Sequence, residues 1–495
     1  MYKLLLCVRY LQTRYLAFIC IVSVMLGVAT LIVVNAVMSG FSTKLKDRLH
    51  GVLSDVIVDT DRSDGFEIND TLGKALTPDE VVARIMASPA GPKIAAVTPT
   101  IEVFAILQFN FRGQAMTKPV RLIGIDPEGR AAVGGFAEYL VRQHGHARPS
   151  FELTPEALKQ HELNRQRRER ADALQVPNVP DPKPLVPDPA ALPEPDDAVM
   201  KRDMPVTKLN GAVIGYTIAH FRWRNEQGEV VEEAALKPGD DVTLFTAGGS
   251  QIDGGRIRPV FGNFLVTDYL KTEMSEYDQS FVYVPLDVLQ RLRTMEGRCT
   301  AFQIKLKNYE ADKKDVVDAL RGIFDPRTGA RVATWEEHQG SLLAAIDVER
   351  GILNLLLFMI VGVAGFSILA IFTMIVSEKY RDIGILKSLG ASNHGVMSIF
   401  VCYGLLLGTV GCGLGTALGL TITDNINEIE MFLTRVTGKA VFPRDVYYFK
   451  DIPTNVDMVN VAVVNIGAVA VATLFSLLPA WRAARLHPVR ALRFE

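Results

Sequence analysis

The stretch Glu378-Lys-Tyr-Arg-Asp-Ile-Gly-Ile-Leu-Lys-Ser-Leu-Gly-Ala-Ser392 decides the fold, because it is a short charged segment between two long apolar runs. The flanking runs, 351–377 and 395–422, are each long enough, at about 1.5 Å of rise per helical residue, to cross a hydrocarbon core of roughly 30 Å. The segment between them, 378–394, is therefore expected at a membrane face.

This segment has the pattern of a short amphipathic helix. Ile383, Leu386 and Leu389 recur at helical spacing, whereas most of the charges fall on other faces. Those charged residues are Lys379, Arg381, Asp382 and Lys387. A helix of this kind lies along a surface and binds lipid or a protein partner. Periodicity alone is equally compatible with a tight solvated loop.

Two further apolar runs, 16–38 and 458–480, together with a hydrophobic content of 48%, indicate a membrane protein. The run 16–38 is longer than the roughly 7–15 apolar residues of a signal peptide, and no small-x-small cleavage site closes it, so we expect a retained span. A basic stretch with apolar spacing, 1–15, predicts an interfacial helix ahead of it. The net charge of −2 and the lack of a basic arm exclude nucleic acid as a partner.

Four spans place the three cationic flanks on one side of the membrane. The N-terminal segment, the 378–394 segment and the tail 481–495 each carry three or four Lys or Arg residues. By the positive-inside rule this side is the cytoplasm, so both termini are expected there and the protein is expected to be multi-pass in the inner membrane. Residues 39–350 and the loop 423–457 then face the extracytoplasmic side.

The region 39–350 has the pattern of a mixed α+β domain. Short alternating or β-branched runs predict strands, and two amphipathic runs predict helices. The strands are predicted at 120–125, 241–245, 281–284 and 302–306, and the helices at 77–88 and 309–323. The predicted fold class is an α-helical membrane protein with four transmembrane helices plus a large extracytoplasmic α+β domain.

Residues 148–205 differ in composition from the rest of this region. A charged helix is predicted over 154–174, with Thr154 as its N-cap, and eight prolines follow between Pro177 and Pro195. Such a track favours extended polyproline II. The sequence predicts a disordered insertion, with a docking arm as the alternative.

Small residues form two stripes on the third span. They repeat every four residues, a spacing that lets another helix approach closely. The stripes are Gly404 and Gly408, then Gly411, Gly415 and Gly419. A subunit interface and ordinary packing within the chain remain equally compatible with this pattern. Asn35 and Asn354 lie near the outer ends of their spans, where no buried role is required.

No catalytic, nucleotide-binding or metal-binding motif occurs in the sequence. There is no Gly-x-x-x-x-Gly-Lys-Ser/Thr loop and no Gly-x-Ser-x-Gly elbow, and the His144/His146 pair lacks the spacing of a zinc helix. Only Cys299 lies in the large soluble region, so no disulfide within the chain is expected there. We therefore expect a non-enzymatic chain without cofactor or metal, driven by a partner.

The 378–392 stretch resembles the intracellular loop of FtsX-like ABC transporter permeases. Five other stretches resemble, in order, one branch of that family, the permease subunits of the bacterial lipoprotein-releasing system (LolC/LolE type). They are Ser23–Ala29 (SVMLGVA), Ala36–Phe41 (AVMSGF), Gly124–Glu128 (GIDPE), Ala345–Arg350 (AIDVER) and Leu478–Leu486 (LPAWRAARL).

The resemblance implies a coupling helix that docks on a cytoplasmic ABC ATPase dimer, which would bind the ATP and Mg²⁺. Its residues would be Glu378, Lys379, Arg381, Asp382, Ile383, Leu386, Lys387, Leu389 and Gly390. The resemblance further implies a porter-like subdomain over 41–139 and 279–346, as in the MacB and Lol proteins, with a β-rich second subdomain inserted at 210–278.

The implied function is the release of lipoproteins from the outer leaflet of the inner membrane to a periplasmic carrier. A second permease, either another copy or a paralogue, would complete the transporter. A MacB-type exporter of drugs or peptides and an FtsX-type signalling subunit that controls cell-wall hydrolases are the alternatives. The GIDPE motif, the Val-Glu-Arg of AIDVER and the LPAWRAARL motif favour lipoprotein release, and the large outer domain disfavours the smaller FtsX architecture.

Overall fold

The computed structural model describes residues 15–66, 68, 76–112, 114–146, 148–174, 210–224, 230–248, 259–272, 274–324, 329–438 and 451–486. The predicted interfacial helix at 1–15 and the proline track lie outside these residues, as does most of the predicted tail 481–495. The chain divides into two compact units. The helical unit comprises Met1–Asp47 and Gly340–Glu495, and the sheet unit comprises Arg48–Gln339.

The described residues form fourteen α-helices. They are α1 Tyr15–Val52, α2 Pro78–Met86, α3 Pro127–Val133, α4 Pro155–Leu174, α5 Tyr216–Ala219, α6 Ser275–Asp278, α7 Leu286–Arg293, α8 Tyr309–Ile323, α9 Trp335–His338, α10 Gly340–Glu378, α11 Tyr380–Ser388, α12 Asn393–Asp424, α13 Ile426–Thr437 and α14 Met458–Ala484. Four of them, α1, α10, α12 and α14, are long and apolar enough to cross a membrane. The predicted number of spans agrees with the described structure.

Three sequence-predicted boundaries differ from the helices observed. The first span was expected to end at residue 38 and the second to begin at 351, but α1 continues to Val52 and α10 begins at Gly340. Apolar content marks only the part of a helix that lies in lipid, so polar helical extensions escape a hydropathy window. The predicted loop 423–457 contains α13, a twelve-residue helix.

The sheet unit is built on eleven strands. They are β1 Val56–Thr60, β2 Ile94–Phe111, β3 Gln114–Ile125, β4 Gly211–Gly215, β5 His220–Arg224, β6 Val230–Ala234, β7 Asp241–Ala247, β8 Pro259–Leu270, β9 Phe281–Pro285, β10 Ala301–Leu306 and β11 Ala330–Thr334. Nine of them form one sheet in the order β11-β1-β10-β2-β3-β9-β4-β8-β7, and β5 pairs with β6 separately. The four predicted strands and both predicted helices of this region are confirmed.

The sheet does not separate into the two predicted subdomains. The strand β2 is 18 residues long, and its first half pairs with β10. Its second half pairs with β7, so that β2, β3, β9, β4, β8 and β7 close into a ring. The segment 210–278 thus supplies strands to the same sheet as its flanks. A split at these boundaries is wrong for the described residues, because pairing partners this distant in sequence leave no local signal.

Part of the predicted insertion is packed into the sheet unit. Helix α4 begins after Thr154, whose Oγ1 accepts a hydrogen bond from the Ala157 N–H at 3.3 Å, as the sequence predicts. Ala157 is buried, and the Asn164 side-chain amide donates to Asp240 at 2.6 Å. The expectation of one disordered insertion over 148–205 is therefore wrong for residues 148–174. Composition did not reveal that this polar helix has partners in the sheet.

Candidate coupling helix and membrane cleft

The charged segment between the second and third spans contains the short helix α11. Gly390 follows it with a φ of +94°, a left-handed conformation that favours glycine and ends the helix sharply. The Ser392 side chain then accepts a hydrogen bond from the Gly395 N–H at 3.1 Å and caps α12. These two residues convert the end of one helix into the start of a span.

One side of α11 packs against its own chain. Ile383 is buried in a small apolar cluster with Val376, Val396 and Ala483. The Lys387 ammonium donates hydrogen bonds of 2.7 Å to the carbonyl oxygens of Ala484 and Leu486, at the end of α14. A cation at a helix C-terminus satisfies carbonyl groups that have no partner within the helix. A displacement of α11 would therefore pull directly on α14.

The other side of α11 is open. Leu389 is 80% exposed and Ile385 is 42% exposed, whereas Leu386 is only partly exposed. The predicted single apolar face of Ile383, Leu386 and Leu389 is therefore wrong, because Ile383 points inward. Four other predicted site residues are exposed, and Lys379, which forms an ion pair with Asp382, is half-buried. The exposed four are Glu378, Arg381, Asp382 and Gly390.

Both glycine stripes of α12 pack against helices of the same chain. A Cβ atom on Gly404 or Gly408 would lie within 3.0 Å of Ser476 or Ala472 of α14. The other stripe faces α1, and a Cβ atom on any of its glycines would crowd α1 atoms at 3.1 Å or less. Its members are Gly411, Gly415 and Gly419. Close helix packing within the chain accounts for both stripes.

A cleft opens among α1, α10 and α14. Its volume is about 420 Å³, and most of its lining is apolar. Four polar side chains also line it, namely Asn35, Arg350, Asn354 and Asn460. From the sequence, no buried role was expected for Asn35 and Asn354. This cleft was not predicted, because residues that are far apart in sequence meet there. Arg350 belongs to the AIDVER motif, which was noted in the sequence only for its resemblance to a family.

Within the sheet unit, the end of α1 is held by a polar cluster. The Asp55 carboxylate contacts the His50 imidazole at 2.5 Å and accepts hydrogen bonds from the Leu306 N–H and from Lys305. Burial raises the pKa of Asp55, but these hydrogen bonds outweigh it and the net pKa lies below its ordinary value. The His50 ring stacks on Trp335 with centroids 5.3 Å apart. No local sequence pattern predicted this cluster.

Among the residues that the structure describes, no group of three or more His, Cys, Asp or Glu side chains is placed to hold a metal ion. The described site features are thus a surface helix with an open face, a cleft within the helical unit and a polar junction in the sheet unit. Together they define a multi-pass membrane protein with a large mixed α+β domain.

Comparison with known proteins relates part of the chain to a family. Residues 354–488 match the FtsX-like permease C-terminal domain, a region that contains α11 and its neighbours. Over this region the chain is similar to FtsX-like permeases. Permeases of this family are non-catalytic transmembrane subunits of ABC transporters.

The chain is similar to lipoprotein-releasing system transmembrane proteins. It is 29% identical to LolC of Xylella fastidiosa over 48% of this chain and 56% of that protein. It is 29% identical to LolE of Haemophilus influenzae over 53% of this chain and 62% of that protein. The aligned part thus spans little more than half the length of these curated relatives. The periplasmic region of MacB from Actinobacillus actinomycetemcomitans aligns with 60% of this chain and 97% of its own, at 13% identity and a TM-score of 0.27.

Proposed function

We propose that this chain is the permease subunit of an ABC transporter that releases lipoproteins from the outer leaflet of the inner membrane. A separate cytoplasmic ATPase dimer binds ATP and Mg²⁺, and a second permease, a copy or a paralogue, completes the membrane part. The released lipoprotein passes to a periplasmic carrier. The names of the LolC and LolE relatives support this substrate class.

The exposed side of α11 is the observation that carries the proposal. An 80% exposed leucine beside a 42% exposed isoleucine, at the end of a span, is what an anchor for a protein groove requires. The inward side explains how docking moves the membrane helices. Because Ile383 and Lys387 join α11 to the end of α14, a push on α11 reaches α14 without an intervening flexible loop.

The cleft among α1, α10 and α14 supports a lipid-anchored substrate. Its apolar walls suit acyl chains, and its three amides and one guanidinium suit the polar part of a lipid anchor. In this proposal, rearrangement of α14 after ATP binding narrows the cleft and expels the anchor toward the extracytoplasmic side.

The test is ATP hydrolysis in reconstituted membranes with the cognate ATPase. Replacing Ile385 and Leu389 together by Ala removes two exposed anchors, and we expect ATPase association to weaken by about 2–4 kcal/mol, or roughly 30- to 1000-fold. Ser388→Ala, on the same helix, is the matched control and should not change association. A charge reversal at Arg381 should cost less and its effect should shrink at high salt. Unchanged association in the double variant would remove the coupling role.

The substrate class is tested in the same membranes. A lipidated protein should stimulate hydrolysis and leave the membrane only with ATP and carrier present, whereas its form without acyl chains should do neither. Stimulation by drugs or peptides instead would support the MacB-type exporter. Stimulation only by cell-wall hydrolases, without release of any substrate, would support the FtsX-type signalling subunit.

A further inference from the structure

A single residue separates helix α13 from the end of the third span. This helix has an exposed apolar stripe. Its exposed side chains follow the i, i+3, i+4, i+7 spacing of one helix face. They are Ile429 (43% exposed), Phe432 (64%), Leu433 (42%) and Val436 (68%). A contiguous exposed apolar face of this kind indicates a binding surface whose partner is not among the described residues of the chain.

A second face of α13 fixes the helix to its own chain. Glu430 lies buried on this face, and within the helix it accepts a hydrogen bond of 3.0 Å from the Thr434 hydroxyl. The Asn427 side-chain oxygen accepts a hydrogen bond of 2.8 Å from the Ile452 N–H, in the segment that returns to α14. A third face is exposed and carries Glu428 and Arg435, and Met431, 43% exposed, lies between it and the second face. At 3.6 residues per turn, the three faces are separated by roughly 120°.

The position of α13 relative to the spans identifies the occupant of its apolar stripe. Only Asn425 separates α13 from α12, so its first residue lies within about 4–8 Å of the point where the span ends. The returning segment lies at the same level, because the Asn455 N–H donates to the Ala36 carbonyl of α1 at 2.9 Å. Asp457 then caps α14, the fourth span. Three spans thus reach their polar ends beside α13.

We propose that α13 lies on the bilayer surface at the Asp424 end of α12, with its apolar stripe inserted among the lipids. A helix at this level needs one face for the bundle, one for lipid and one for water, and α13 has these three faces. Within the helix, the acids Glu428 and Glu430 outnumber the single base Arg435. Apolar burial therefore drives insertion, without help from anionic headgroups. The contact fixes the depth of α12, whose other end carries α11, and it does not depend on the proposed substrate.

The experiment measures whether the apolar stripe and the exposed polar face of α13 are in contact with lipid or with water. The full chain, with its native cysteines replaced, is reconstituted in phosphatidylcholine vesicles with one fluorophore on Val436→Cys or on Arg435→Cys. We expect a lipid-borne quencher to reach the label at 436 several-fold more strongly than the label at 435, and aqueous iodide to show the opposite order. Adding phosphatidylglycerol or salt should leave this pattern unchanged.

Three outcomes would overturn the proposal. Equal quenching of both labels by iodide would place the stripe in water. Shielding of the label at 436 from both quenchers would indicate a protein contact, with a second copy of the chain as the occupant. Lipid quenching that appears only with phosphatidylglycerol would show that charge, not the apolar stripe, holds the helix. Phe432→Cys provides a second position on the stripe if Val436→Cys does not fold.

Discussion

Two short helices, α11 and α13, flank the opposite ends of one span, and the structure uses them differently. α11 buries Ile383 in a cluster and ties Lys387 to the end of α14. α13 leaves its whole apolar stripe exposed and is fixed instead through polar residues. The comparison teaches that amphipathic spacing alone does not say which side of a surface helix packs on its own chain. Which side packs on the chain depends on the contacts that each side of the helix makes with the neighbouring helices.

The largest expected effect is an all-or-none difference in access to the two ends of α12. In a background without native cysteines, a reagent that cannot cross the inner membrane should label Glu428→Cys in cells with a permeabilised outer membrane. It should label Asn393→Cys only after the inner membrane is opened. Both side chains are exposed, so burial within the protein cannot explain a difference in labelling between them.

Ser63→Cys, on the surface of the sheet unit, lies in the region predicted to be extracytoplasmic and should be labelled under the same conditions as Glu428→Cys. The native Cys299 cannot serve, because it is 1% exposed and burial raises the pKa of its thiol. The reverse labelling pattern would invert the topology, and labelling of both ends would mean that α12 does not cross the membrane.

The next effect separates the inward side of α11 from its outward side. Ile383→Asp places a carboxylate in an apolar cluster without a partner and should destabilise the helical unit by about 3–5 kcal/mol. Leu389→Asp, on the same helix at 80% exposure, should change stability by less than about 0.5 kcal/mol. Thermal unfolding of the purified chain in detergent measures both. Equal losses would show that Ile383 does not stabilise the helical unit through the apolar cluster.

These helices also show what the sequence could predict. The four spans and α11 followed from apolar runs long enough for lipid, and four of the eleven described strands of the sheet unit followed from local alternation. α13 was missed because twelve residues inside a segment with mixed charges fall below the length that a hydropathy window detects. The inward turn of Ile383 depends on Ala483, a hundred residues away along the chain, and no local pattern encodes such a contact.

The candidate site divides in the same way. The coupling segment was found by its position between two spans and by resemblance. The cleft was not, because Asn35, Asn354 and Asn460 come from three different helices. The glycine stripes were visible in the sequence, but only the structure could assign one to α14 and the other to α1. Local patterns therefore identified surfaces, whereas the partner of each surface required the fold.

A third helix end, that of α1, extends the comparison to an attachment that includes a buried carboxylate, that of Asp55. Because the folded pKa of Asp55 lies below its unfolded value of about 3.9, its carboxylate stabilises the sheet unit above that pH. This contribution should disappear as the pH falls from about 4 through the folded pKa. Asp55→Asn should cost about 1–3 kcal/mol at neutral pH and should remove this part of the acid dependence.

Urea unfolding of the purified chain at several pH values measures this effect, and Asp61→Asn is the control at an exposed aspartate that directly follows β1. If Asp55→Asn keeps the full acid dependence of the wild type, other carboxylates are responsible and the polar attachment of α1 contributes little.

The smallest expected effect compares two parts of the region 148–205, helix α4 and the proline-rich sequence that follows it. Deleting residues 176–204 and joining the ends with a short Gly/Ser bridge should leave the unfolding midpoint of the sheet unit nearly unchanged, because so proline-rich and polar a segment has little apolar surface to bury. Extending the deletion to residue 155 should lower the midpoint clearly, since it removes buried Ala157 and the Asn164–Asp240 hydrogen bond. A large loss from the shorter deletion would mean that the proline track is itself attached. Normal stability with loss of lipoprotein release would instead assign that track to docking, the alternative that its composition left open.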